Sequence, residues 1–173
     1  HVDGARLFNA VVATGTDAAR MVRDYDSISI CLSKGLGAPV GSVLVGSQSF
    51  IDKAHRWRKM FGGGMRQAGV LAAAGLYALE HNIDRLAEDH ARAKTIAEAV
   101  AGMDGFSVEL DAVQTNMVYI TTDSPAAEVV AGLAKHGIDL FDIGPNSIRV
   151  VTHLHITDDD AMRTIGAFAA LSA

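Results

Sequence analysis

The chain has 173 residues, of which 49% are apolar and 20% charged, and its formal net charge is −5. This length and apolar content are enough to bury a core and exclude a disordered tail. The excess of acidic residues argues against nucleic-acid binding, which relies on a basic surface. No apolar run is long enough to cross a bilayer, so no membrane contact is expected. Cys31 is the only cysteine, which excludes an intrachain disulfide and favours the reducing cytoplasm.

The chain starts with His1-Val2-Asp3-Gly4, without an initiator methionine. These residues are typical of the end of a strand that turns at the glycine. We therefore interpret the sequence as the later part of a longer polypeptide. Half of any active site is then expected to lie outside it.

Elements of α/β type are predicted for the first part of the chain. In order they are a strand ending at Gly4, a helix at 18–25, strands at 27–32 and 41–46, and helices around 50–61 and 67–80. The apolar run 41–46 is typical of a buried strand. Ser49 and Asp52 have the spacing of a capping box. Gly69 and Gly75 predict close packing of the last helix against a sheet.

A domain boundary is predicted near residue 82, where the chain changes character. The following elements are an amphipathic helix at 83–100, strands at 106–110 and 116–121, a helix ending at Gly137, strands at 138–143 and 147–151, and a final helix from 158. Ser124 is the predicted N-cap of the middle helix and Thr157 that of the last one. The predicted domains are 1–82, of α/β type, and 83–173, a small α+β domain.

The segment Lys34-Gly35-Leu36-Gly37-Ala38-Pro39-Val40-Gly41 matches no phosphate-binding motif. A P-loop places its lysine after the glycines, whereas here the lysine precedes them. A dinucleotide fingerprint needs glycine at position 40, where Val40 stands. The glycines therefore need another explanation.

A metal site is one alternative. His153 and His155 would share one face of a strand, and His1 and Asp3 would do the same, but no cluster with metal-ligand spacing completes the set. Polar residues at strand ends explain these side chains equally well. The basic residues of 53–59 surround one helix and are interpreted as a solvated face.

Lys34 follows a predicted strand and is surrounded by small residues. Partial burial would lower the pKa of its amine and make it a nucleophile for a carbonyl cofactor. Glycines beside it leave room for a flat ring. Enzymes that use pyridoxal phosphate bind it through such a lysine and place a carboxylate at its pyridine nitrogen. Asp3 also ends a strand, and ligands of α/β sheets gather at the carboxyl ends of strands.

The sequence resembles the low-specificity L-threonine aldolases, within the aspartate-aminotransferase-like group of pyridoxal-phosphate enzymes. The resemblance rests on HVDGARLFNA, SISICLSKGLGAPVGSVLVGS and RWRKMFGGGMRQAGVLAAAGLYAL, and it extends through RLAEDHARAK and TNMVYI to SIRVVTH. It implies that 1–82 is part of a fold-type-I large domain with a mostly parallel sheet. It also implies a homo-oligomer and retro-aldol cleavage of threonine to glycine and an aldehyde.

Roles for individual residues follow from the resemblance. Lys34 corresponds to the lysine that carries the cofactor, and Asp3 to the partner of the pyridinium nitrogen. Arg6 and Arg149 correspond to ligands of the substrate carboxylate, and Arg6 also lies at the cofactor. Arg66 is expected to face the cofactor phosphate or a subunit interface. The cofactor-stacking residues and much of the phosphate cradle of relatives precede this chain.

Two other functions stay open at this point. A pyridoxal-phosphate enzyme with Lys34 and Asp3 could instead be a β-eliminating lyase or a racemase, because these reactions share the same cofactor chemistry. Alternatively, this chain is a catalytically incomplete piece that acts only through association.

Overall fold

Two compact units follow one another along the chain. The computed structural model describes residues 1–172 and divides them into unit 1, His1–Leu86, and unit 2, which begins at Ala87. Each unit has its own cluster of buried apolar side chains.

Unit 1 contains a three-stranded sheet and four helices. The elements are β1 (Val2–Gly4), α1 (Leu7–Thr14), α2 (Ala18–Val22), β2 (Ser27–Cys31), β3 (Ser42–Gly46), α3 (Gln48–Met60) and α4 (Gly69–His81). The strand order is β1-β2-β3. β1 pairs with β2 in parallel, with Asp3 opposite Ser29, and β3 pairs with β2 antiparallel. The central strand thus has one parallel and one antiparallel neighbour.

The core of unit 1 lies between the end of β2 and helix α4. Its buried apolar members are Leu32, Leu36, Ala38, Ala78 and Leu86. A Cβ added at Gly75 would lie 3.0 Å from Leu32 Cδ1, which confirms the predicted close packing there. The same prediction is wrong at Gly69, where an added Cβ would meet nothing within 4 Å.

Much of the apolar surface of β3 and α3 is exposed. The prediction that 41–46 is a buried strand is wrong for the described chain, since Val43, Leu44 and Val45 are 38–46% exposed. β3 is an edge strand, and no further strand pairs with it among residues 1–172. Helix α3 has no buried residue, although Trp57 and Phe61 stack with ring centroids 5.8 Å apart.

Two predicted helix caps are wrong, and one helix is not predicted. Helix α3 is capped by Ser47, whose hydroxyl accepts a hydrogen bond from the backbone N–H of Phe50, so Ser49 and Asp52 form no capping box. The helix predicted to be capped by Ser124 begins only at Ala126 and has no side-chain cap. Helix α1 is not among the predicted elements, and its N-cap is Arg6, which is not a residue type that signals a helix start.

Unit 2 is a four-stranded antiparallel sheet with helices on one face. Its elements are α5 (Leu86–Val100), β4 (Phe106–Val108), a 3₁₀ turn (Leu110–Ala112), β5 (Met117–Thr122), α6 (Ala126–Ala134), β6 (Phe141–Gly144), β7 (Ser147–Val151) and α7 (Asp158–Leu171). The strand order is β4-β5-β7-β6. Buried side chains of α5, α6 and α7 share one core with Val118, Ile120, Ile148 and Val150. The other face of the sheet carries the alternate residues of β5 and β7.

Helix α7 begins with the capping box that Thr157 predicts. The Thr157 hydroxyl accepts a hydrogen bond from the backbone N–H of Asp160, whose carboxylate accepts one from the backbone N–H of Thr157. Hydrogen bonds from the side chain and then the backbone of Thr157 lower the pKa of the Asp160 carboxyl. The cap therefore contributes stability above the ordinary pKa of an aspartate. That contribution is lost as the pH falls through the lowered value.

Replacing Thr157 by alanine is expected to reduce the free energy of unfolding by about 1 kcal/mol, the typical cost of a lost N-cap. Urea denaturation at pH 7 followed by circular dichroism measures this difference. The difference should shrink below about pH 4, where protonation of Asp160 weakens the cap of the unsubstituted protein. Thr157→Ser is the matched control, because it keeps the hydroxyl. A Thr157→Ala protein as stable as Thr157→Ser at pH 7 would contradict the assignment.

Candidate active site

The parallel pair β1–β2 brings Asp3 and Lys34 to the same edge of the sheet. Asp3 lies within β1 just before its last residue, and Lys34 follows β2 by three residues. Because parallel strands end at one edge, both side chains belong to the carboxyl end of the sheet. The Oδ1 atom of Asp3 accepts one hydrogen bond, from the backbone N–H of Ala5 at 3.1 Å. Both residues are exposed, so the partial burial expected for Lys34 is wrong for the described chain.

A tight turn directly after β2 presents Lys34. The backbone N–H of Gly37 donates to the carbonyl of Lys34 at 2.9 Å, and that of Ala38 donates to the carbonyl of Leu32 at 2.9 Å. Gly37 and Gly41 have φ angles of 73° and 116°, which favour glycine over residues with a Cβ. The glycines therefore close the turn, and they are not part of a phosphate loop.

Arg6 lies between Asp3 and helix α1 and is half-buried. Its Nε atom is buried and makes no hydrogen bond to any residue of the described chain. Arg6 lines a small cavity together with Gly4, Cys31 and Gly35. A buried donor without an acceptor is costly, so this nitrogen is suited to bind an additional acceptor.

The pKa of the Cys31 thiol is affected by the positive charge of the nearby Lys34. Burial raises the pKa of the Cys31 thiol, but hydrogen bonds with Ser33 and the nearby Lys34 ammonium together outweigh this effect, so the net pKa lies below its ordinary value. The Cys31 Sγ and Ser33 Oγ atoms are 3.5 Å apart. The end of β2 is thus a place that favours negative charge.

Gly4 has no space for a side chain. A Cβ at this position would lie 2.6 Å from Ile28 Cδ1 and 2.7 Å from the carbonyl oxygen of Ser29. Gly4→Ala is therefore expected to push β1 away from β2 and to cost about 1–3 kcal/mol of folding free energy. Chemical denaturation measures this loss. Gly69→Ala is the control, because nothing lies within 4 Å of its Cβ, and an equal loss in both variants would contradict the steric argument.

Arg149 belongs to unit 2, on the sheet face that the helices do not cover. It is half-buried in β7, between the buried residues Ile148 and Val150. Its register partners are Tyr119 on β5 and Phe141 on β6. Within residues 1–172 its guanidinium has neither an ion-pair partner nor a hydrogen-bond acceptor. An unpaired cation on a sheet face is available for an anionic ligand.

The remaining candidates are more dispersed. Arg66 is exposed between α3 and α4. The prediction that His153 and His155 share a strand face is wrong, since β7 ends at Val151. Their rings lie 5.7 Å apart, and the backbone N–H of His155 donates to His153 Nδ1 at 3.3 Å. No group of three or more metal-binding side chains occurs in the part of the chain that the structure describes.

Three residues beside the candidates, one in unit 1 and two in unit 2, are not among the sequence-based predictions. Asn9 is buried in helix α1, and a Cβ at Gly35 would lie 3.2 Å from its Oδ1 atom. A lone asparagine within an apolar helix was the available signal. Tyr119 and Phe141 flank Arg149. The alternating pattern of β5 indicates which face of the sheet Tyr119 lies on, but it does not show that Arg149 is its neighbour.

Comparisons with known proteins give one family model and several similar relatives. The profile described as β-eliminating lyase matches residues 1–123. Low-specificity L-threonine aldolase 1 of Arabidopsis thaliana is 48% identical over 172 residues, which cover 97% of this chain and 48% of the relative. Low specificity L-threonine aldolase of Escherichia coli O157:H7 is 45% identical, covering 100% of this chain and 51% of the relative. The chain spans about half the length of these curated relatives.

A solved structure shows the same fold. The crystal structure of a putative L-allo-threonine aldolase from Listeria monocytogenes superposes with a TM-score of 0.83 at 23% identity, covering 98% of this chain and 51% of that one. The predicted fold class, part of a fold-type-I large domain followed by a small α+β domain, is confirmed. With the profile match over residues 1–123, the chain belongs to the β-eliminating lyase family. No helix within residues 1–172 combines the length and apolarity needed to span a membrane.

Proposed function

We propose that the protein containing this chain cleaves L-threonine and L-allo-threonine to glycine and acetaldehyde with pyridoxal 5′-phosphate as cofactor. The observation that carries the proposal is the placement of Asp3 and Lys34 at the carboxyl ends of two neighbouring parallel strands. The relatives named threonine aldolase, at 45–48% identity, support the choice of substrate.

The described residues fit the cofactor. Lys34 offers an exposed amine without a hydrogen-bond or ion-pair partner in the described structure, and Asp3 offers a carboxylate with a single hydrogen bond. The room for a flat ring expected at Gly35 is wrong, since a Cβ there would lie 2.9 Å from Leu86 Cδ2. The buried Nε of Arg6 lacks an acceptor among the described residues. The cofactor would be held covalently by Lys34, with the Asp3 carboxylate accepting a hydrogen bond from the protonated ring nitrogen. When bound, pyridoxal phosphate supplies an electron sink for the pair released at Cα.

The protein residues then orient and stabilise the reacting groups. Arg149 and Arg6 bind the α-carboxylate of the amino acid, because a guanidinium presents two parallel N–H donors to it. Asp3 keeps the proton on the ring nitrogen and thereby favours charge developing in the ring. In the overall reaction the Cα–Cβ bond breaks and the β-hydroxyl loses its proton. The hydroxyl oxygen becomes the aldehyde oxygen, and Cα gains a proton to give glycine.

Product analysis of the protein expressed from its complete reading frame tests this function. Incubation with L-threonine or L-allo-threonine should yield acetaldehyde, measured by coupled NADH oxidation with alcohol dehydrogenase, and an equal amount of glycine. A β-eliminating lyase would instead release ammonia and 2-oxobutanoate, and a racemase would invert Cα and form the D-epimer. Either result without acetaldehyde would overturn the aldolase assignment.

The same experiment on residues 1–173 alone tests whether this chain is catalytically incomplete. An active complete protein and an inactive 1–173 chain would support that possibility. The visible absorption of bound cofactor in each sample distinguishes loss of cofactor from loss of catalysis alone.

Assembly and location are part of the proposal. The exposed apolar surface of β3 and α3, which includes Trp57 and Phe61, supports contact with the rest of the polypeptide or with a second copy. We expect a homo-oligomer, checked by light scattering. The single free cysteine is compatible with a cytoplasmic location.

A further inference from the structure

A row of three large side chains crosses the open face of the unit 2 sheet. Arg149 on β7 is the register partner of Tyr119 on β5 and of Phe141 on β6. Residues opposite each other in antiparallel strands have Cβ atoms about 4.5–5.5 Å apart and point to the same face. The Arg149 side chain therefore lies between two aromatic neighbours, Tyr119 and Phe141.

This row lies on the face opposite the core. Tyr119 is 50% exposed and Phe141 is 76% exposed, whereas the alternate residues Val118, Ile120 and Ile148 are completely buried. Two large rings left on the solvent side of a sheet do not contribute to the core of unit 2. Their common feature is their position beside Arg149.

The hydroxyl of Tyr119 is directed along its own strand. It donates a hydrogen bond to Met117 Sδ at 3.9 Å, and Met117 lies two residues before it on the same face. The part of Tyr119 that is available to Arg149 is thus the ring rather than the hydroxyl. Phe141 offers only a ring, so both neighbours contribute the same chemistry.

Aromatic rings on both sides of an arginine restrict its rotamers. The ring faces also attract the positively charged guanidinium without accepting hydrogen bonds from its N–H groups. A carboxylate neighbour would have formed an ion pair and occupied the guanidinium. Rings leave the donors of Arg149 free, and the side chain loses less conformational entropy when it binds an anion.

We propose that Tyr119 and Phe141 are positioning residues that hold the Arg149 guanidinium for the α-carboxylate of the amino acid. The inference rests on the proposed function, because it assumes that Arg149 binds this carboxylate. Neither ring needs to touch the substrate. Their effect is on amino-acid binding and not on the chemical step.

The experiment compares single variants of the protein expressed from its complete reading frame and loaded with cofactor. Tyr119→Ala and Phe141→Ala should each weaken glycine binding, measured by isothermal titration calorimetry, by about three- to fivefold. The KM for L-threonine should rise by a similar factor, while kcat changes less than about twofold. Tyr119→Phe and Phe141→Tyr keep the rings and should restore binding. Met162→Ala removes an exposed side chain from α7, in the helix layer, and is the matched control.

The outcomes separate this inference from the proposed function. Glycine binding that is weakened in the alanine variants and restored in the aromatic ones supports the positioning role, even if no aldehyde forms from threonine. Unchanged glycine binding in both alanine variants would overturn it, even in an active aldolase. Equal losses in Met162→Ala, or an effect on kcat without one on binding, would also overturn it. Thermal unfolding of each variant identifies a loss that merely reflects unfolding.

Discussion

Replacing Lys34 by alanine is expected to abolish covalent cofactor attachment and to reduce aldehyde formation by more than about a thousandfold. Attachment needs a primary amine at this edge of the sheet. Among the described residues of unit 1, Lys34 is the lysine at the carboxyl ends of β1 and β2. The visible absorption of the bound cofactor should disappear together with the activity. Borohydride reduction followed by mass spectrometry should show the cofactor on Lys34 in the unsubstituted protein.

A folding defect would not explain this result. Lys34 is exposed and its side chain makes no hydrogen bond or ion pair among residues 1–172, so its removal should leave the thermal unfolding temperature nearly unchanged. Lys94→Ala is the matched control, because Lys94 is an exposed lysine with a weak ion pair to Glu98 at 3.8 Å. Retained absorption in Lys34→Ala, or its loss in Lys94→Ala, would refute the assignment of the anchor.

The second large effect is expected for Arg149. Arg149→Met removes the cation while keeping an unbranched apolar stem, and it should raise the KM for L-threonine by about a hundredfold. Arg149→Lys should restore only part of the loss, because an ammonium cannot form two parallel hydrogen bonds with a carboxylate. The cofactor absorption should persist in both variants, since the proposed anchor is Lys34.

A comparison of Arg149→Met with Arg163→Met shows whether the effect belongs to this position. Arg163 is an exposed arginine of α7 with an ion pair to Asp160 at 3.4 Å. Its loss removes the same charge from unit 2 without affecting the open face of the sheet. An unchanged KM in Arg149→Met, or the same increase in both variants, would contradict a role in carboxylate binding.

Local sequence signals predicted those parts of the fold that neighbouring residues determine. Thr157 caps α7 because its hydroxyl and the Asp160 side chain lie within one turn. The strand at 27–31 and the turn that follows it depend on β-branched residues and on glycines at positive φ. Asp3 and Lys34 can be paired from the sequence alone, because two strands separated by helices are typically parallel neighbours.

Other features depend on which elements pack against a residue or pair with it in the sheet. The sequence pattern does not identify these partners. The spacing of Phe50, Trp57 and Phe61 correctly predicts a helix, but these side chains are exposed, since periodicity identifies an apolar face and not its partner. The prediction that 41–46 is buried is wrong for the same reason. The aromatic neighbours of Arg149 come from β5 and β6, and only the register of the sheet brings them beside it.

The parallel register of β1 and β2 limits where this family can tolerate insertions and deletions. Asp3 is opposite Ser29 in the register, and Lys34 belongs to the turn that directly follows β2. One residue added between Ser29 and Lys34 would change the distance between the amine and the aspartate. The segment Arg23–Asp26, which connects α2 to β2, has no such restriction, and length differences between homologues should concentrate there and not between Ser29 and Lys34.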